Sequence, residues 1–361
     1  MAVVGGGVIG LAVAWRARQR GLEVLLVDRG DLGAGASRAA AGMLAPVAEA
    51  DAQERDLLVH NLESARRWPS FAAELADVTG VEVGYRACGS LLLARDRDEA
   101  EHVERERALR ERLGLRVERI LGSEARRREP ALAPSLRLAL ALPDDHAVEP
   151  IRVTAALIEA CSRAGVQLRA GTPVTDVAAL PADRVVIAAG AWSGEALAAG
   201  APGARRMPVR PVKGQALRLR DPSGPGLCDR VLRFEGGYLV PRGDGRYYLG
   251  ATMEERGFDT AVTALGVYEL LREAAEVLPG ILELEIDEAF AGLRPGTPDN
   301  APIVGTDPAD ERIVWATGHF RNGILLCPLT AELVADELTG GHPDHALRPE
   351  RFATATEGAP A

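Results

Sequence analysis

The segment Gly5-Gly6-Gly7-Val8-Ile9-Gly10 constrains the fold more than any other feature of the chain. A short apolar run, Ala2 to Val4, precedes it. An Ala-rich stretch follows to Arg20, and Gly21 closes it as a helix C-terminal glycine does. Glu23 to Val27 then reads as a buried strand, and Asp28 stands at its end, 18 residues past Gly10. Strand, glycine turn, helix and strand make one unit of the doubly wound type. Gly5, Gly7 and Gly10 permit the tight turn and the close approach of backbone to a pyrophosphate, which sits on the helix N-terminus. Asp28 would accept hydrogen bonds from a ribose diol, and its charge disfavours a 2′-phosphate, which argues against NADP. A glycine-rich turn without a ligand is the structural alternative. The motif by itself does not separate FAD from NAD.

The next segment narrows that choice. Residues 33–42 are almost all small, so their amides stay accessible, and Ser37 can donate to a phosphate. A flavin dinucleotide is long and needs such a second cradle; a structural turn is the other reading. Helices are predicted over 53–78 with a break near Trp68-Pro69, and over 95–113, 150–164, 262–277 and 328–338. Strands are predicted over 89–94, 136–142, 185–189 and 312–316. Between Pro208 and Thr252 short strands (215–219, 231–234, 238–241, 247–251) alternate with Gly and Pro, which suits an antiparallel sheet. Nucleotide-type elements thus occur at the start, middle and end, with antiparallel material between them. Two interleaved domains are expected: one from 1–85, 146–207 and 292–350, the other from 86–145 and 208–291, with a tail at 351–361.

Composition excludes several classes. At 361 residues the chain suits two domains, and its net charge of -10 argues against nucleic acid as a partner. Lys213 is the only lysine, so Schiff-base catalysis has one candidate. Cys88, Cys161, Cys228 and Cys327 form no C-x-x-C pair and read as free thiols of a reducing cytoplasm. No apolar run approaches the ~20 residues of a membrane span. The first residues lack the order of a secretory signal, so a cytoplasmic location is expected. His342-x-x-His345 lacks a third ligand nearby, and no metal is expected.

Ser37-Arg38-Ala39-Ala40-Ala41-Gly42-Met43-Leu44-Ala45-Pro46 resembles the flavin-cradling segment of glycine oxidases, members of the D-amino-acid oxidase superfamily. Gly292-Leu293-Arg294-Pro295-Gly296-Thr297-Pro298-Asp299 is similar to the family's carboxylate-binding strand end. Gly318-His319-Phe320-Arg321-Asn322-Gly323-Ile324-Leu325-Leu326 is similar to its C-terminal flavin motif. With the first glycine turn and Gly190-Ala191-Trp192-Ser193, the resemblance covers nearly the whole chain in order. It implies an α/β fold: a Rossmann-like parallel-sheet FAD domain and an interleaved antiparallel-sheet substrate domain that roofs the flavin. Val8, Ile9, Asp28, Arg29, Ser37, Ala41, Gly42, Met43, Val174 and His319 to Leu325 match FAD-contacting positions, and the FAD is expected to be non-covalent. Tyr238, Arg294 and Arg321 match substrate-contacting positions. Cys327 departs from the family, which usually carries a small apolar residue there.

The residue types suit those roles. An amino-acid carboxylate in a closed pocket must be paired, and Arg294 offers a planar fork for it. Tyr238 could add a second bond, although a core tyrosine with a satisfied hydroxyl is the plainer reading. Arg321 binds substrate, lines the entrance or forms a structural ion pair. Amides of the 319–326 turn, ahead of a helix expected near Pro328, would stabilise negative charge on reduced flavin. No general base is required; His319 more plausibly contacts flavin by backbone, and Lys213 more plausibly has a structural role. The resemblance implies oxidative deamination of glycine and other small amines (sarcosine, D-alanine), with oxygen reduced to hydrogen peroxide. It also implies a place in thiamine thiazole biosynthesis, thiazole synthase as a partner, and a homo-oligomer. A D-amino-acid dehydrogenase using another acceptor, a sarcosine oxidase-like enzyme and a non-catalytic flavoprotein are the competing readings.

Overall fold

The computed structural model describes residues 1–196, 207–222, 224, 226–341 and 345–352. Six strands form one sheet in the order Ile303–Thr306, Ile313–Thr317, Val185–Ile187, Ala2–Val4, Leu25–Val27, Gln167–Arg169. All neighbours run parallel except the first pair, which is antiparallel. Its inner strands are unbroken apolar runs because both faces are covered. Val3, Leu26, Val186 and Val314 share one core with the helices Val8–Gln19, Pro150–Ala164 and Gly323–Leu338. Ala2, Val4, Val185, Ile187 and Trp315 face a second core that includes Met207. The chain passes from Ala2–Val4 to Leu25–Val27 on one side, while Val185–Ile187 flanks the other. Connections therefore diverge at Ala2–Val4, and a crevice opens beyond the carboxyl ends of these strands.

Eight strands form the larger sheet in the order Glu285–Gly296, Arg210–Arg220, Arg246–Gly250, Gly237–Pro241, Val231–Phe234, Ser90–Ala94, Leu138–Leu142, Glu118–Leu121. It is antiparallel except where Val231–Phe234 meets Ser90–Ala94 in parallel. Those two strands lie far apart in the chain, so no hairpin dictates their direction. Helix Ala264–Val277 covers one face, burying Leu270, Ala274 and Val277 against Leu217, Leu232 and Leu249. The strands Arg210–Arg220 and Glu285–Gly296 are longer than their apolar patterns predict, because each stabilises the other along eleven paired positions. Glu118–Leu121, Gln167–Arg169 and Ile303–Thr306 were not predicted; they are edge strands too short to show a period.

Two predicted boundaries are corrected. Helix Arg55–Thr79 runs unbroken through Pro69, since burial of Ser64, Trp68, Phe71 and Leu75 along one face outweighs the missing amide. The last helix begins at Gly323, not near Pro328, which lies inside it. Ser64 repairs the distortion: its hydroxyl donates to Leu325 O at 2.6 Å and accepts from the Leu329 amide at 3.4 Å. Trp68 Nε1 also donates to Leu325 O, at 2.9 Å. Most of the 351–361 tail and His342 of the paired-histidine motif lie outside the described residues.

Candidate active site

The crevice widens into a cavity of about 830 Å³, lined from both sheets. At its first end the glycine turn delivers Gly5, Gly7, Val8 and Ile9 to the wall. Gly5 takes φ +114, and a Cβ there would stand 2.3 Å from Ala188 O, so only glycine fits. Gly10 is off the wall: its Cβ would stand 1.9 Å from Gly5 O, so this glycine lets the helix pack onto the turn. Asp28 is more committed than its sequence position suggests. Its Oδ2 accepts from the Gly6 amide at 2.6 Å and its Oδ1 from the Gly30 amide at 2.8 Å, leaving one lone pair on each oxygen for a diol. Ser37 Oγ accepts from the Val8 amide at 2.9 Å, so its hydroxyl proton is free for a phosphate oxygen. Arg29 lies over the Trp192 ring at 3.9 Å, beside Val174, where a planar base would lie.

Midway, Ala41, Gly42 and Met43 line the cavity, and Met43–Leu44 pairs with His146–Ala147. Gly42 has φ +80, and a Cβ would meet Val148 O at 2.1 Å. His319 through Ile324 also line the cavity. Phe320 takes a left-handed φ of +46 and donates its amide to Pro295 O at 2.9 Å, which ties this turn to the Arg294 strand end. Because the helix starts at Gly323, its unsatisfied first-turn amides sit at the cavity instead of a turn away. Leu325, predicted to touch cofactor, instead faces the core and is 2% exposed. His319 is buried, its Nε2 is 2.9 Å from Thr330 Oγ1, and burial pushes its imidazole down to about 3. It is therefore neutral in the working range, with Nε2 engaged by Thr330.

Arg294 and Tyr238 line the same cavity. Arg294 Nη1 donates to Thr252 O at 3.1 Å and to Lys213 O at 3.4 Å, and among the described residues no carboxylate pairs with it. Its fork is held in place but its charge is unanswered. Gly214 makes that possible, since a Cβ there would stand 2.4 Å from Arg294 Nη1. The Tyr238 ring stacks on Tyr248, with centroids 6.0 Å apart and planes at 7°, and the Tyr248 hydroxyl donates to Ala39 O at 2.9 Å. Burial pushes the Tyr248 hydroxyl well above its usual value. Arg321 is differently placed: its Nε meets Glu49 Oε2 at 3.3 Å, and it is 39% exposed. Glu49 also meets Arg233 Nη1 at 2.6 Å. Burial pushes the Glu49 carboxyl up, but the charges of Arg233 and Arg321 outweigh it and hold it below the usual carboxylate range. Lys213 is 1% exposed, off the cavity wall, and bonded to Asp259 at 2.7 Å.

Sequence reasoning missed Glu49, Arg233, Gly214 and Tyr248. Gly214, a glycine inside a strand, carried a signal of close approach; the others carried none.

The site fits a flavin dinucleotide: a glycine turn with Ser37 for pyrophosphate, Asp28 for ribose, walls of Gly and Ala, and a second helix N-terminus where an anionic ring edge would lie. Fold and site together define an oxidoreductase whose extended dinucleotide lies between a parallel sheet and a mostly antiparallel one. Residues 1–337 match the family model described as FAD dependent oxidoreductase. The chain is 37% identical to the glycine oxidase of Geobacillus kaustophilus over 93% of this chain and 92% of that one. The crystal structure of glycine oxidase from Geobacillus kaustophilus superposes with a TM-score of 0.90 at 35% identity, covering 96% of each chain. A "Bifunctional protein ThiO/ThiG" of Synechocystis is 36% identical over 98% of this chain, which spans 54% of that protein's length. The chain belongs to the FAD-dependent oxidoreductase (DAO) family, and FAD is its cofactor. Among the described residues no helix is long and apolar enough to cross a membrane.

Proposed function

We propose that this protein oxidises glycine, and other small amines such as sarcosine and D-alanine, to the imine, which water converts to the 2-oxo acid with release of ammonia or, from sarcosine, of methylamine. The carrying observation is Arg294. It is a positioned guanidinium on the cavity wall, bonded among the described residues only to backbone oxygens, and a substrate carboxylate would complete it. FAD, when bound, supplies the hydride acceptor and passes the electrons to oxygen, giving hydrogen peroxide. The chain's own work is to anchor and orient. Tyr238, braced by Tyr248, offers a second donor to the carboxylate. Arg321 is partly satisfied by Glu49 and lies toward solvent, which suits substrate entry better than primary anchoring. Neutral His319 and the distance of Lys213 from the wall favour a mechanism without a protein base, in which the amine must be neutral before it reacts. The relatives named glycine oxidase support the substrate. The relatives named ThiO/ThiG support a place in thiamine thiazole biosynthesis, with thiazole synthase as a separate partner, and we expect a cytoplasmic homo-oligomer. An aerobic peroxide assay over glycine, sarcosine, D-alanine and D-proline tests the reading. Turnover of D-proline with a dye but not with oxygen would replace it with a dehydrogenase.

A further inference from the structure

A second cavity, of about 240 Å³, lies where the hairpin of Gly237–Pro241 and Arg246–Gly250 meets the start of helix Pro150–Ala164. Arg86, Arg152, Arg242 and Arg246 line it, against only Glu149 and Asp244. The pairing is uneven. Arg246 grips Asp244 through Nε at 3.0 Å and Nη2 at 2.6 Å. Arg242 is 9% exposed; its Nε meets Glu149 at 2.9 Å, its Nη1 donates to Val148 O at 2.9 Å, and its Nη2 has no acceptor among the described residues. Burial pushes this guanidinium below its usual value despite the charge of Glu149, so the cation is under-compensated. Arg86 reaches only the exposed Asp229, at 3.4 Å, and its buried Nη1 has no partner. Arg152, exposed at the rim, meets no carboxylate among the described residues.

The helix adds to this excess of donors. It is 15 residues long, and its N-cap residue, Glu149, makes no side-chain cap bond. The amides of Ile151 and Arg152 lie in the first turn, where no intrahelical acceptor exists. Gly84 and Gly243 leave the walls bare of side chains at this place; at Gly243 a Cβ would stand 2.0 Å from Arg86 Nη1. One arginine without a carboxylate partner among the described residues, Arg152, the unused guanidinium donors of Arg86 and Arg242, and a helix N-terminus make up the chemistry of an oxyanion site.

We propose that this cavity binds a phosphate group, either as inorganic phosphate or carried by a small phosphorylated metabolite. A phosphate presents enough acceptor oxygens for Arg242 Nη2, Arg152 and the helix amides together, whereas a carboxylate leaves some of these donors unused. A free amino acid is disfavoured, because its ammonium would face two carboxylates already bound to arginine. The site stands behind the cofactor cradle: the Val148 amide donates to Gly42 O at 2.9 Å, and Val148 O accepts from Arg242.

Calorimetric titration of the FAD-loaded protein at fixed ionic strength tests the proposal, since bound FAD already fills its own pyrophosphate cradle. Inorganic phosphate should give saturable one-site binding. Arg152→Glu should weaken it roughly tenfold or more while keeping FAD and the circular dichroism spectrum, because Arg152 is exposed. Arg105→Glu, the same charge change on the exposed side of another helix, should leave it unaltered. Glycerol 3-phosphate binding tighter than inorganic phosphate would identify a phosphorylated metabolite as the occupant; the reverse order would identify the free ion. Absence of saturable heat with either ligand, or equal affinities in the two variants, overturns the proposal.

Discussion

Replacing Gly214 by alanine tests the anchor role of Arg294 without touching Arg294. The new Cβ would stand 2.4, 2.5 and 2.6 Å from Nη1, Nη2 and Cζ of that side chain. Ordinary contact begins near 3.4 Å, so the guanidinium must retreat by about 1 Å. An arginine tip moves easily, and Gly214 lies in a regular strand, so the stability cost should be small. The catalytic cost should not be small. A misplacement of about 1 Å in a positioning group can lower the rate by roughly 10²-fold. Arg294→Ala sets the scale: losing one partner of a buried charge pair costs about 2–5 kcal/mol, or roughly 30- to several-thousand-fold in kcat/KM. Gly214→Ala should therefore fall between wild type and Arg294→Ala, and the double variant should be no worse than Arg294→Ala alone. Initial rates of oxygen consumption against glycine measure this, with Tm and FAD content as controls. Arg294→Lys should recover only part of the loss, because the fork is gone. If Gly214→Ala keeps wild-type kcat/KM, or if it sheds FAD, the carboxylate-anchor argument fails.

Arg321→Ala should raise KM for glycine by less than Arg294→Ala does, on the order of tenfold or below, because Arg321 is partly exposed and already paired; a larger loss would make it the main anchor. Acid should release FAD into the supernatant, since no cysteine of the described residues lines the cofactor cavity; colour kept in the pellet would show a covalent link. His319 makes stability depend on pH. The unfolded chain takes up its proton near the usual 6.5, and the folded one only near about 3. Between these values the unfolded state holds more protons, so stability is lost as the pH is lowered from about 6.5 toward about 3, by up to about 1.4 kcal/mol per unit. Denaturant unfolding at several pH values should show a shallower fall in His319→Gln, and an unchanged slope would mean that the ring is charged when folded.

The legible parts of this protein are those governed by local steric rules. The glycine turn, the strands beside it and the terminal Asp28 can be read in order, because positive φ and close backbone approach restrict residue choice where they occur. Arg294 could be singled out because an apolar run ends there. Pairing across the chain left weaker traces. The break expected at Pro69 and the late start expected at Pro328 both followed local propensity, yet a single contact region, Ser64 and Trp68 against Leu325 O, keeps both prolines inside helices. That early start is what brings the amides of Gly323 and Ile324 to the cavity. Glu49, Arg233 and Arg321 come from three separate segments, and no spacing in the chain announces that they meet.

By itself, then, the sequence determined the dinucleotide-binding unit, the two kinds of sheet and Arg294 as the residue proposed to pair a substrate carboxylate. Only the tertiary structure decided which charges are already answered. It commits Arg321 to Glu49 and Lys213 to Asp259, and among the described residues leaves Arg294 with backbone oxygens alone. The reason is physical: backbone conformation depends on neighbouring residues, whereas the cost of a buried charge depends on whatever the fold places within a few ångströms of it.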